Sequence, residues 1–392
     1  MALVPPLVTH IFSSLLLLLH LLQFASAVPS ATSGSCSSPQ FTAPLSTCTF
    51  ASGATSYGII VEVGGPPTPQ RLCLAPSTLV NSTIVSVDSL CDPHLTRREC
   101  ESLHGGLFDK KQSSTWKDVL LPQYNSTRQE GAWAHLNPSG IVDVGYDTLR
   151  IPGGNEVALY GFGIALDASP KGTLGLGTES LFLDEVVTKG YAPSQSWSLD
   201  VGSQSVAHPR DGELVVGGYN KGRADGNFAW QNISDLSGGQ PCPLRTSIKE
   251  MSIIMEDGKE KPLLSSSGPV DACIEPYKNS FHFTTALLSA WKTATDYDDD
   301  FAKTFAATNA QSNLLMEPGL IYSGAAPKWS LSITTASGYK TTIPQFELQQ
   351  PLSGLNATGN KQTMGNATHV PVAASPTGEG TISTLGRIFL SQ

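Results

Sequence analysis

The sequence predicts a mostly β protein of short strands and tight turns, and three observations carry that expectation. Gly (37) and Pro (27) are abundant while charged residues make up only 15% of the 392, against about 25% in an average globular chain. Short runs rich in β-branched and aromatic residues recur between Gly/Pro turns. Stretches with helical spacing are few. Apolar residues at 40% suffice for sizeable cores and exclude a disordered polyelectrolyte. A net charge of −9 without a Lys/Arg cluster excludes a nucleic-acid partner.

The chain opens with an apolar run, Ile11 to Phe24, and the small-residue site Ala25-Ser26-Ala27. Residues 1–27 therefore read as a signal peptide. The run is short of the ~20 residues a membrane span needs, and no later stretch is long enough. A secreted, extracellular monomer without a membrane anchor is expected. Residues 28–54 are rich in Ser, Thr and Pro, lack periodicity and read as an N-terminal arm.

Strand character begins at Tyr57 to Val63, turns at Gly64-Gly65-Pro66-Pro67 and resumes at Arg71 to Ala75. Further strands are predicted at 140–151, 156–166, 197–201 and 213–216. Ser180 is placed to cap a helix from Leu181 to Lys189, with Gly190 as the stop. Thr284 is placed to cap a second helix from Ala286 to about Thr308, with Leu287, Trp291, Phe301 and Phe305 at helical spacing. The acidic run Asp296 to Asp300 lacks the spacing and Gly of a calcium loop and reads as a solvated helix face.

All seven Cys lie beyond residue 27, where an oxidising lumen favours disulfides. Cys91 and Cys100 enclose a short polar loop and form the best pair. Spacing also allows Cys242 with Cys273 and Cys36 with Cys48 without dictating either. Cys73, in an apolar strand, reads as a buried free thiol. Five sequons offer glycosylation at Asn81, Asn125, Asn232, Asn356 and Asn366.

Chemical motifs are mostly absent. There is no GxSxG, HExxH, CxxC, Walker loop or GxGxxG, and six scattered His residues beyond the leader have no metal-ligand spacing. No cofactor and no metal are expected. One internal echo stands out: Lys171-Gly172-Thr173-Leu174-Gly175-Leu176 against Ser383-Thr384-Leu385-Gly386-Arg387-Ile388.

Several phrases occur in an order that resembles the pepsin-like aspartic peptidase family, in particular its divergent secreted fungal members. They are Val63 to Pro67, Phe108-Asp109 with Ser113-Ser114-Thr115, Gly145-Tyr146-Asp147-Thr148, the two echoed runs, Gly212 to Gly218 and Asp271 to Pro276. The resemblance spans Tyr57 to the end. It implies a bilobal acid protease fold, two β lobes related by a pseudo-twofold around a central cleft, over 55–240 and 241–392. The family continues past the Leu385 to Leu390 phrase by one or two strands, so the resemblance implies a second lobe cut short at its end.

That family's hydrolysis needs two carboxylates sharing one proton, each in an Asp-Thr/Ser-Gly loop. Neither loop occurs here. Counting about eleven residues from the turn Gly lands on Ala75, and no Asp or Glu lies between Val63 and Val87. The second-lobe position falls on Glu275, in Cys273-Ile274-Glu275-Pro276. Ser77 and Thr78 beside the first seat are cleft candidates. The family's flap Tyr would fall near His135, where the chain has no Tyr and only Trp133 could cover a cleft.

The first reading is therefore a secreted, catalytically inactive relative that holds a peptide, protein or glycan in its cleft. The alternatives are an aspartic-type endopeptidase pairing Glu275 with Asp88 or Asp271, and a structural wall or matrix glycoprotein.

Overall fold

The computed structural model describes residues 39–391, apart from 120–140, 153–154, 166–170, 206, 225–227, 234–241, 265–267, 309–317, 325–327, 357 and 376–381. The predicted leader, Cys36, Asn125, Trp133 and His135 lie outside the described residues. In the first half the strands are β1 (Phe41–Thr49), β2 (Thr55–Val63), β3 (Gln70–Ser77), β4 (Ile84–Val85), β5 (Lys117–Val119), β6 (Ile141–Ile151), β7 (Asn155–Ala165), β8 (Thr173–Gly175), β9 (Trp197–Asp200) and β10 (Gly212–Val216). They form one ten-stranded sheet in the order β5-β6-β7-β4-β8-β3-β2-β1-β10-β9.

The second half holds β11 (Arg245–Met255), β12 (Glu260–Pro262), β13 (Val270–Ile274), β14 (Phe281–Phe283), β15 (Leu320–Ser323), β16 (Trp329–Thr335), β17 (Lys340–Ile343), β18 (Gln350–Leu355), β19 (Lys361–Val370), β20 (Val372–Ala374) and β21 (Ser383–Leu385). An eight-stranded sheet runs β17-β16-β11-β13-β21-β14-β20 with β12 on β11, and β15-β19-β18 form a third sheet. The described helices are α1 (Arg97–His104), α2 (Leu181–Thr188), α3 (Thr285–Ala294), α4 (Asp299–Thr308), α5 (Gln345–Leu348) and α6 (Arg387–Leu390).

Each half buries its own core. Phe108, Trp116 and Phe162 meet with ring centroids 5.3 to 5.5 Å apart in the first, within a cluster drawn from Phe41 to Val216. Trp291 packs edge-on against Trp329 at 5.3 Å in the second, within a cluster drawn from Ile248 to Phe389. No described strand pairing joins the two sheet systems. The mostly β, two-lobed architecture expected from the sequence is thus present.

Three local expectations are corrected. The segment 28–54 is not all arm: Phe41, Ala43, Leu45 and Cys48 face inward in β1 while Thr42, Pro44, Thr47 and Thr49 face out. Pro44 has no N–H to give to a ladder, and its one partner is Glu213 of β10; pairing with β2 begins only at Leu45. Second, the helix drawn from Ala286 to Thr308 is two helices. Asp296 takes a left-handed φ of 52°, and the Asp298 carboxylate accepts the Asp300 and Phe301 amides. The acidic run is a turn and an N-cap, not a continuous helix face. Third, Cys73 is no free thiol. It bonds Cys48, tying β3 to β1 across β2, which removes the Cys36–Cys48 option.

The remaining local signals hold. Cys91–Cys100 and Cys242–Cys273 are disulfides. Ser180 caps α2 by accepting the Leu183 amide, and Thr284 caps α3 by accepting that of Leu287.

Candidate functional site

The echoed Thr-Leu-Gly runs are β8 and β21 with the Gly that follows or ends each, and both lie parallel to the strand that delivers the candidate residues. In the first half Ala75, Pro76 and Ser77 pair with Thr173, Leu174 and Gly175. In the second, Ala272, Cys273 and Ile274 pair with Ser383, Thr384 and Leu385. Superposing Thr173-Leu174-Gly175 on Thr384-Leu385-Gly386 makes Ser77 the counterpart of Glu275. By this register the residue that matches Glu275 is Ser77, two residues beyond the Ala75 reached by counting from the turn. Ala75 sits within the ladder, 3% exposed, its N–H given to Gly172 O at 2.8 Å.

Close backbone packing explains why both runs carry Gly at this point. A Cβ on Gly175 would lie 2.6 Å from Asn81 C and 2.7 Å from Ser82 N; one on Gly386 would lie 2.4 Å from Ser280 O. Gly175→Ala and Gly386→Ala are each expected to cost ~1–3 kcal/mol. Equilibrium urea unfolding checks this, and unchanged midpoints would contradict it.

The side chains at the two seats are held alike. Ser77 Oγ accepts the amide two residues on, Leu79 N, at 3.2 Å. Glu275 Oε1 accepts Tyr277 N at 3.0 Å. Between them Thr78 crosses from one lobe to the other: its N–H reaches Glu275 Oε2 at 3.0 Å and its hydroxyl lies 2.7 Å from the same oxygen. Thr78 Oγ1 is also 3.3 Å from Ile274 O. The structure thus brings Ser77, Thr78 and Glu275 together and leaves Ala75 outside the contact.

Glu275 is 1% exposed. Burial pushes its carboxyl up from the ordinary Glu value, against the lowering pull of the Thr78 and Ser77 hydroxyls and the Tyr277 and Thr78 amides. The Thr78 hydroxyl donates to Glu275 Oε2 as its shorter contact and leaves Ile274 O, at 3.3 Å, the weaker one.

The acids offered as alternative partners are engaged elsewhere. Asp88 lies 3.6 Å from Arg97 with its side chain 70% exposed. Asp271 is bonded by Arg245 and by Ser247 at 2.9 Å, and the Arg245 guanidinium holds its carboxyl below the usual range.

A cavity of about 960 Å³ lies between the lobes beside this cluster, lined by Tyr57, Ala75 and Lys171 from the first and Tyr277, Lys278 and Arg387 from the second. Lys171 Nζ donates to Tyr57 O, and Tyr277 OH donates to Lys171 O at 3.4 Å. The Arg387 guanidinium stands 5.3 Å over the Tyr57 ring. Ser77, Thr78 and Glu275 are not among the described lining residues; they sit behind the wall.

Of the sequons, Asn81 is 4% exposed, with Ser82 and Thr83 at 0 and 1%. Its side-chain oxygen accepts Glu179 N at 3.2 Å, so the fold leaves no room for a glycan there. Asn232 is exposed, Asn356 is half-buried, and the Asn366 side chain lies outside the described residues. Among the described residues no His/Cys/Asp/Glu cluster could hold a metal, and no helix is long and apolar enough to cross a membrane.

No family model matches the sequence, and no curated protein matches it. A search of solved structures finds similarity to the aspartic proteinase from Irpex lacteus, with a TM-score of 0.54 and 17% identity. The alignment covers 90% of this chain and 93% of that one. At that identity the likeness shows the pepsin-like fold.

Proposed function

We propose that this chain is a secreted pepsin-fold protein that binds a peptide between its lobes and does not cut it. The observation that carries the reading is the hydroxyl of Ser77 where a first-lobe carboxylate would stand, across Thr78 from a buried Glu275. Peptide hydrolysis in this fold takes one carboxylate as base on water and a second held neutral. Here a single acid stands at the two seats, 1% exposed, and burial pushes its carboxyl up from the ordinary Glu value. Three disulfides among the described residues support an oxidising destination.

Charge selects the ligand class. The cavity is lined by Lys171, Lys278, Arg210 and Arg387 against Asp92 and Asp211, with Arg210 itself paired to Asp200, and the remaining cationic excess favours an acidic peptide over a basic one. Lys278 is exposed and its side chain enters no ion pair among those described. Lys278→Glu is expected to weaken binding of a fluorescent acidic peptide about tenfold. Titration by fluorescence anisotropy at low salt reads this. Equal affinity for acidic and basic peptides would sink the ligand assignment.

A further inference from the structure

A strip of aromatic side chains is left in solvent far from the Thr78–Glu275 contact in sequence. Trp230 is 86% exposed, Phe228 61%, Tyr219 41%, and the neighbouring Ile233 65%. The rings are not scattered: Tyr219 and Phe228 lie 5.5 Å apart, and Phe228 and Trp230 lie 6.1 Å apart. Next to Tyr219 in the chain, Asn220 donates to Glu213, which also pairs with Arg223. A contiguous apolar patch on a chain this polar in its surroundings calls for a cover.

The sequence names one. Trp230 stands two residues before Asn232 in Trp230-Gln231-Asn232-Ile233-Ser234, an acceptor sequon. The Phe228–Trp230 ring contact puts those two side chains together, and Asn232 follows Trp230 by two residues, within reach of a sugar linked to it. Asn232 is itself exposed. Asn81, by contrast, is buried, and no described aromatic strip precedes it.

We infer that Asn232 carries an N-linked glycan whose first N-acetylglucosamine lies over Trp230 and Phe228. The C–H face of a pyranose ring is apolar and matches the negative face of an indole, while its hydroxyls remain in water. Attachment is a group transfer. Asn232 Nδ2 loses a proton and bonds to C1 of the sugar of a lipid-pyrophosphate-linked oligosaccharide, and the lipid pyrophosphate leaves with the bonding pair. The glycan turns the apolar strip into a covered, solvated surface. This inference rests on the secretory reading above.

The test uses the full chain secreted from a eukaryotic host, with glycopeptides mapped by mass spectrometry. Asn232 is expected to be occupied. After trimming to a single N-acetylglucosamine, the sugar protons at Asn232 should show an upfield ring-current shift that is lost in Trp230→Ala. Apolar-dye fluorescence should rise about twofold in Asn232→Gln and not rise further when Trp230→Ala is added. Because Trp230 is almost fully exposed, its removal leaves the core intact. Glycans at other sequons with Asn232 bare, or an unshifted sugar at Asn232, would overturn the inference alone. An unglycosylated chain would overturn the secretory reading with it.

Discussion

Replacing Glu275 with Gln is expected to flatten the pH dependence of stability at the lobe contact. The sign follows from the direction of its shift. A carboxyl raised in the folded state holds its proton there after the unfolded chain has released it. Its contribution is fully present below the unfolded value of about 4.3 and is lost as pH rises through the folded value. Each pH unit in that window costs about 1.4 kcal/mol. Other groups, including Asp271 with its lowered value, work the opposite way, so the difference between wild type and variant isolates Glu275. Urea unfolding across about pH 4 to 8 should show the wild type losing stability relative to Glu275→Gln as the solution becomes neutral. Parallel curves would mean that the Glu275 carboxyl is not raised in the folded protein.

A pair of aspartate substitutions has the second large effect and separates the two candidate seats. Ser77→Asp places a second acid against Glu275, and like charges at one contact cannot both ionise without penalty. Its fall in stability from acid to neutral pH should steepen relative to the wild type, by about 1.4 kcal/mol for each pH unit over which the folded pair keeps a proton that the unfolded chain has released. Ala75→Asp instead buries a carboxylate inside the ladder, where Ala75 is paired with Thr173. It should destabilise by several kcal/mol without altering the titration of Glu275. If Ala75→Asp moves that titration and Ser77→Asp does not, the register drawn from β8 and β21 is wrong. Neither variant is expected to cleave peptides: Ala75→Asp puts its acid inside the ladder, and in Ser77→Asp the partner acid is still the longer Glu275, 1% exposed to the water it would have to activate.

The same residues show how far the chain could be read without coordinates. Strands from Tyr57 to Val63 and from Trp197 to Val201 were legible because their alternation and flanking turns are local. β1 was not, since Thr, Pro and Ser between its apolar positions imitate a linker, and Pro44 is tolerated only because one neighbour is present there. The break between α3 and α4 hides in an acidic run whose capping role depends on side-chain direction. Glu275 could be found by phrase, but its first-lobe counterpart could not be fixed by counting. The length of the Gly64 to Pro69 turn is free to vary, while the parallel pairing with Gly175 is not. The Thr-Leu-Gly echo was visible in the sequence; that it sets the register became clear only from the ladders.

Incubation of purified, disulfide-bonded protein with an unfolded substrate at acidic pH, beside Glu275→Gln, probes the missing partner acid most directly. A single acid at the two seats, Glu275, predicts no cleavage from either sample. Cleavage by the wild type that vanishes in Glu275→Gln and yields to a statine-type inhibitor would contradict it.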